Sequence, residues 1–108
     1  SSLDRSRDEL ALLDVHGRAL HGLGLQSYLF FGSANRLYQH VKLLLERHPD
    51  CRYLVFDFRL VTGIDSSAAY SFAQIKRAAV ENGVKLVLVN LPRATEKMLR
   101  SGEFLSSG

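Results

Sequence analysis

This chain predicts an α/β fold: one domain built on a mixed β-sheet, in the order β-β-α-β-α-β-α. Three observations carry that prediction. Apolar, strand-like runs alternate with amphipathic helical stretches along most of the sequence. Two of the runs, Arg52 to Phe58 and Val84 to Val89, are almost continuously apolar, the pattern of parallel strands buried on both faces. The 108 residues are enough for a single core without disulfides or metals. The β-α-β-α-β section then requires right-handed crossovers between parallel central strands, with the helices mainly on one face.

Residues 1–9 are polar and charged and read as a flexible N-terminal segment. Leu10 to Val15 is apolar apart from Asp14 and reads as a first strand. Gly17, Gly22 and Gly24 punctuate the next stretch, which predicts a turn followed by a second strand, Leu25 to Phe31. Two short runs so close together are most simply joined as a hairpin. Gly32-Ser33-Ala34-Asn35 opens a helix whose Leu37, Val41, Leu44 and Leu45 share one face, and Pro49 closes it. The strand Arg52 to Phe58 follows. A second helix runs from Ser66 to Glu81, with Ala69, Phe72, Ile75, Ala79 and Val80 as its core face, and Asn82-Gly83 stops it. After the strand Val84 to Val89, Pro92 starts a third helix, Arg93 to Ser101, whose apolar residues are Ala94, Met98 and Leu99. The folded domain is expected over 10–105, with 106–108 as a tail.

Composition narrows the function. The net charge of +3 comes wholly from residues 58–108, which carry seven Lys/Arg against four Asp/Glu. No basic run or basic–aromatic alternation appears, so nucleic acid is not an expected partner. No apolar run approaches the ~20 residues of a membrane span, so direct membrane insertion is not expected either. Cys51 is the single cysteine, which excludes a disulfide framework or a Cys-rich metal site and fits a cytoplasmic setting. The Ser-rich ends and the lack of an initiator Met read as a domain excised from a longer protein.

Sequence patterns for catalysis and cofactor binding are missing too. His16, His21, His40 and His48 show no metal-ligand spacing. No Gly-x4-Gly-Lys loop, dinucleotide fingerprint or Gly-x-Ser-x-Gly elbow is present. A small hydrolase using Ser66 would need a base that the sequence does not place. The chain therefore reads as a non-enzyme without metal or cofactor.

The run Thr62-Gly63-Ile64-Asp65-Ser66-Ser67-Ala68-Ala69 stands apart. It sets a carboxylate and two hydroxyls at a helix N-terminus, where unpaired backbone N–H groups favour negative charge. Asp65 reads as a helix cap or, with Ser66 and Ser67, as a phosphorylation switch; both readings stand. Asp57 ends an apolar strand, where it either bonds loop amides or joins the same switch surface.

Leu54-Val55-Phe56-Asp57 followed by Gly63-Ile64-Asp65-Ser66-Ser67-Ala68-Ala69, with Val84 to Asn90 and Leu99 to Phe104, resembles the STAS domain family of sulfate transporters and anti-sigma-factor antagonists. The resemblance implies a regulatory, protein-binding domain. In sigma regulators the Ser after the loop Asp, here Ser66, is phosphorylated by a partner kinase that is also the anti-sigma factor. Ser67 is then the supporting hydroxyl and Asp65 the neighbouring carboxylate. Tyr28 to Leu37 looks more like the SulP-type transporter-linked branch, which implies a cytoplasmic domain at the inner face of the membrane whose partner is the transporter's membrane domain. Ala68 replaces the Gly common at that position in sigma regulators. Some members bind nucleotides, which the resemblance would place near Asp57 and the Asp65 loop.

Overall fold

The computed structural model of the chain describes residues 10–16 and 19–101. The expected loose segment 1–9 and the tail 106–108 lie outside them. The elements are β1 (Leu10–His16), β2 (Leu20–Leu29), α1 (Phe31–Arg47), β3 (Tyr53–Ile64), α2 (Ser66–Glu81), β4 (Lys85–Val89) and α3 (Arg93–Ser101). Their order is the expected one. The sheet runs β1-β2-β3-β4. β1 and β2 form the antiparallel hairpin; β2–β3 and β3–β4 are parallel.

Alternation along β3 shows where the core lies. Leu54, Phe56 and Phe58 are fully buried, while Tyr53 is exposed and Val55 and Asp57 are half-buried. The helices pack on the face of the buried set, with α2 between α1 and α3. Leu37, Val41, Leu44 and Leu45 of α1 meet Phe72, Ile75 and Ala79 of α2 in one cluster with Leu23, Leu25 and Leu99. Phe72 stands edge-on to Phe56, with ring centroids 6.2 Å apart, and 6.0 Å from Phe58.

Several expectations need correction. β3 is buried on one face only: Tyr53 and Val55 are apolar but turn away from the helices, so a run of apolar residues imitated a two-sided strand. β4 is an edge strand rather than a buried one; Leu86, Val87, Leu88 and Val89 are half-buried and Lys85 is exposed. β2 runs Leu20–Leu29 rather than Leu25 to Phe31, because Gly22 and Gly24 pair with Val55 and Asp57 inside the sheet and do not make a turn. Phe31 is already helical. β3 continues past Phe58 to Ile64, held by β2 through Gln26–Leu60 and Leu29–Ile64. Val80 is 68% exposed, and Ala94 is exposed while Thr95 is buried, so the α3 face is Thr95, Met98 and Leu99.

The α2 stop is as expected. Gly83 takes φ +69, a left-handed value that a side chain disfavours. Its N–H bonds the Val80 carbonyl at 3.1 Å, and the Val84 N–H bonds Ala79 at 2.8 Å, the paired bonds of a Schellman motif.

Phe72 is the side chain through which α2 reaches both inward rings of β3. Phe72→Ala is expected to cost about 3–5 kcal/mol, from lost burial plus the cavity left behind. Urea unfolding followed by circular dichroism measures it; a cost below about 1 kcal/mol would show that the helix layer closes over the gap.

Candidate functional site

The site forms where β2 and β3 end together and hand over to α1 and α2. The Asp65 N–H donates to the Leu29 carbonyl at 2.9 Å, fixing the start of the loop against the end of β2. α1 begins beside it. The Ser33 hydroxyl accepts the Phe30 N–H at 2.9 Å and donates to the Phe30 carbonyl at 3.1 Å, closing that first turn. Both helix N-termini thus face the same end of the sheet. Neither has an acidic residue in its first turn.

Asp65 occupies the N-cap position of α2, with φ −83 and ψ 150, but its carboxylate makes no cap bond. This corrects the capping half of the sequence reading. The carboxylate instead accepts the Ser67 hydroxyl at 2.5 Å. The Asp65 carbonyl takes the Ala68 N–H at 2.9 Å, so the helix starts on backbone bonds alone. Ser66 and Ser67 are exposed. The Ser67 hydroxyl is engaged; that of Ser66 makes no hydrogen bond among the described residues. Asp65, Ser66 and Ser67 are therefore brought together, with Ser66 as the available hydroxyl.

Asp57 stands elsewhere. Asp57 and Ile64 pair with Gly24 and Leu29 of β2, five residues apart, on the order of 16 Å of strand. Asp57 instead closes the point where β4 leaves β3. Its Oδ1 accepts the Asn90 side-chain amide at 3.0 Å and the Arg59 N–H at 2.9 Å. Those bonds hold its carboxyl below the usual carboxylate range, the Asn90 bond chiefly and the Arg59 amide next. This is the loop-bonding role that the sequence left open for Asp57.

Sequence reasoning missed the aromatic rim. Tyr28, Phe30 and Phe31 are exposed at the β2–α1 corner, and Tyr70 is exposed on α2 one turn beyond Ser66. Tyr28 and Phe30 stack with centroids 4.7 Å apart. Ser27, at φ 69, bends β2 there at some cost in backbone strain. Tyr28 pairs with Gly63, and its ring lies so close that a Cβ on Gly63 would sit 2.7 Å from Tyr28 Cε2. The usable signal was the run of aromatics broken by a helix start, which reads equally well as a buried strand.

Among the described residues no group of three or more His, Cys, Asp or Glu could hold a metal ion. No described helix is long and apolar enough to cross a membrane.

Comparison with known proteins bears on this arrangement. The STAS domain family model matches residues 14–107. The yeast Saccharomyces cerevisiae vacuolar basic amino acid transporter VSB1 is 30% identical over 99 residues, covering 84% of this chain and 10% of that protein. The chain thus spans about a tenth of that relative. Two solved structures share the fold. The anti-sigma factor antagonist SpoIIAA of Bacillus, in its unphosphorylated form, superposes with a TM-score of 0.74 at 13% identity, covering 88% of this chain and 81% of that one; a phosphorylated form is also similar. A sulfate transporter family protein from Wolinella succinogenes gives 0.70 at 18% identity, covering 87% and 75%.

Asn90→Gly should raise the Asp57 pKa toward its ordinary value, read by NMR titration. Glycine keeps the left-handed backbone, since Asn90 has φ 56. A lowered carboxyl pKa gives stability that is present above the unfolded-state value and lost as pH falls through the folded-state one. The variant should therefore lose less stability than the parent on acidification through that range. An unchanged Asp57 titration would show that the Arg59 amide suffices.

Proposed function

The chain belongs to the STAS domain family, and from that premise we propose that it is a non-enzymatic regulatory domain. It binds a protein through the α2 N-terminus, most specifically as the cytoplasmic domain of a SulP-type anion transporter. The partner is then the transporter's own membrane domain. One observation carries the reading: an exposed hydroxyl, Ser66, whose bonding capacity is unused among the described residues, at one end of the sheet with Tyr28, Phe30, Phe31 and Tyr70. Clustered exposed aromatics mark protein contacts, because their burial is a large gain still to be realised. The vacuolar transporter relative and the sulfate transporter family structure support the transporter setting.

Phosphorylation of Ser66 would work against such a contact. A phosphate adds about −1.5 to −2 charges at pH 7. The first amides of α2 favour it, so the modified loop is stable by itself. Packed against a partner, the dianion would have to lose its water beside the Asp65 carboxylate. Binding would fall while the fold stayed intact.

A second reading, an anti-sigma-factor antagonist controlled by phosphorylation of Ser66, is favoured by the Asp65-Ser66-Ser67 run and by the SpoIIAA likeness. Its partner would be the anti-sigma kinase.

Ser66→Asp in the intact parent protein should weaken cross-linking between this domain and the membrane domain about tenfold, equal to roughly 1.4 kcal/mol. Ser66→Ala should leave it unchanged. Equal cross-linking by all three proteins would overturn the switch. For the second reading, the chain incubated with a cognate anti-sigma kinase and ATP should take phosphate at Ser66, located by mass spectrometry, and none in Ser66→Ala.

A further inference from the structure

The end of the molecule opposite Ser66 carries a different set of groups. α1 and α2 both follow parallel strands, so both their C-termini lie there. A cleft of about 290 Å³ runs from the middle of α1 to the last turns of both helices, lined by Tyr38, Lys42, Leu45 and Glu46 of α1 and by Ala78 and Glu81 of α2. Asn82 closes its rim and is held in place by a 2.8 Å bond from its amide to the Ala78 carbonyl. Leu45 is buried and Ala78 half-buried, which gives an apolar floor.

The charges in this cleft are not arranged for stability. Glu46 and Glu81 fall in the last turns of their helices, where the negative end of the macrodipole disfavours a carboxylate. α2 has no basic residue in its last turn to offset Glu81. Neither carboxylate makes an ion pair among the described residues. Lys42 stands one turn from Glu46, yet its Nζ lies back over the Tyr38 ring, 5.1 Å from the centroid. The cleft thus offers two unpaired acids, one ammonium and an aromatic ring over an apolar floor.

We propose that this cleft binds an α-amino acid with a cationic side chain, of the arginine or lysine type. The chemistry of each wall selects one part of such a ligand. Lys42 takes the α-carboxylate. Glu46 and Glu81 take the guanidinium or ammonium head, in the field of two helix C-termini. Leu45 and Ala78 lie along the aliphatic stem, while the Tyr38 face is already covered by the Lys42 ammonium and holds that charge at the carboxylate end. An acidic amino acid would be repelled by both glutamates, and a simple cation would leave Lys42 without a partner in the site. At about 290 Å³ the cleft lies at the lower end of small-ligand sites, a size suited to a single amino acid. The site is independent of Ser66 and of the switch proposed for it.

An NMR titration of this chain with free arginine tests the assignment. Saturable shifts are expected at the α1 and α2 C-termini, with citrulline, agmatine and glutamate each binding about tenfold more weakly or not at all, since each lacks or reverses one charged contact. Glu46→Gln and Glu81→Gln should each weaken arginine binding by about tenfold. Neither should lower the melting temperature, because both carboxylates are exposed and sit against the helix dipole. No saturable shift with arginine overturns the proposal. So does citrulline binding as well as arginine, or undiminished arginine binding by the double Gln variant. Agmatine binding as tightly as arginine overturns the amino-acid assignment, because it removes Lys42 from the site.

Discussion

The pairing of β2 with β3 is the constraint on which the rest of the structure depends. β3 is held by β4 only from Tyr53 to Asp57, but by β2 from Tyr53 to Ile64. The first part of the strand builds the core, sending Leu54, Phe56 and Phe58 into the helix layer. The second part builds the site, because it carries the chain to Asp65 and ties that residue to Leu29. A strand that stopped at Phe58 would leave seven residues of loop between core and site, with no reason for Ser66 to hold one position. The asymmetry has its own stitch: where β4 departs, Asp57 binds Asn90 and the Arg59 amide and so closes the gap.

The same parallel pairing gives the molecule an electrostatic axis. Helices that follow parallel strands point the same way, so their N-termini gather at one end and their C-termini at the other. At the N-terminal end Asp65 and the unused Ser66 hydroxyl meet a favourable field, among exposed aromatics. At the C-terminal end Glu46 and Glu81 meet an unfavourable one. Both ends carry groups whose interactions are incomplete among the described residues. That is the condition under which a surface gains by binding something.

Much of the fold was legible because its boundaries have local chemical causes. α2 begins and ends where the sequence placed it, since Asn82-Gly83 supplies the left-handed residue that a Schellman motif needs. Pro49 and Pro92 bracket the other helices in the same way. The misreadings occurred where one residue type serves two environments. Glycine at 22 and 24 signals a turn in isolation, yet here it lies inside a paired strand whose partner is distant in sequence. Tyr53 and Val55 look buried because they are apolar; only the one-sided helix layer reveals that they face away. Val80 fits the helical period but lies past the edge of the core. The Asp65-Ser66-Ser67 cluster was visible as a motif. The aromatic rim was not, because the placement of Tyr28 and Phe30 depends on the bend at Ser27 and on the room that Gly63, lacking a side chain, leaves for the Tyr28 ring.

The state of Asp65 shows how a cap position can be kept for another purpose. An Asp at that position would ordinarily satisfy an early helix amide with its own carboxylate, a contribution of about 1 kcal/mol. Here the carboxylate binds the Ser67 hydroxyl instead, and the Asp65 carbonyl receives the Ala68 amide. The helix therefore starts without using the side chain best suited to start it. Two consequences follow from the same bond. Ser67 is held, so of the adjacent hydroxyls only Ser66 is presented. The first amides of α2 stay open to an acceptor that is not part of the resting chain. A phosphate on Ser66 would supply such an acceptor at the place where a helix N-terminus best tolerates it, while the fixed Asp65 carboxylate beside it raises the cost of stripping water from that charge when a partner packs there. Stability of the modified loop and loss of the contact would then arise from one geometry.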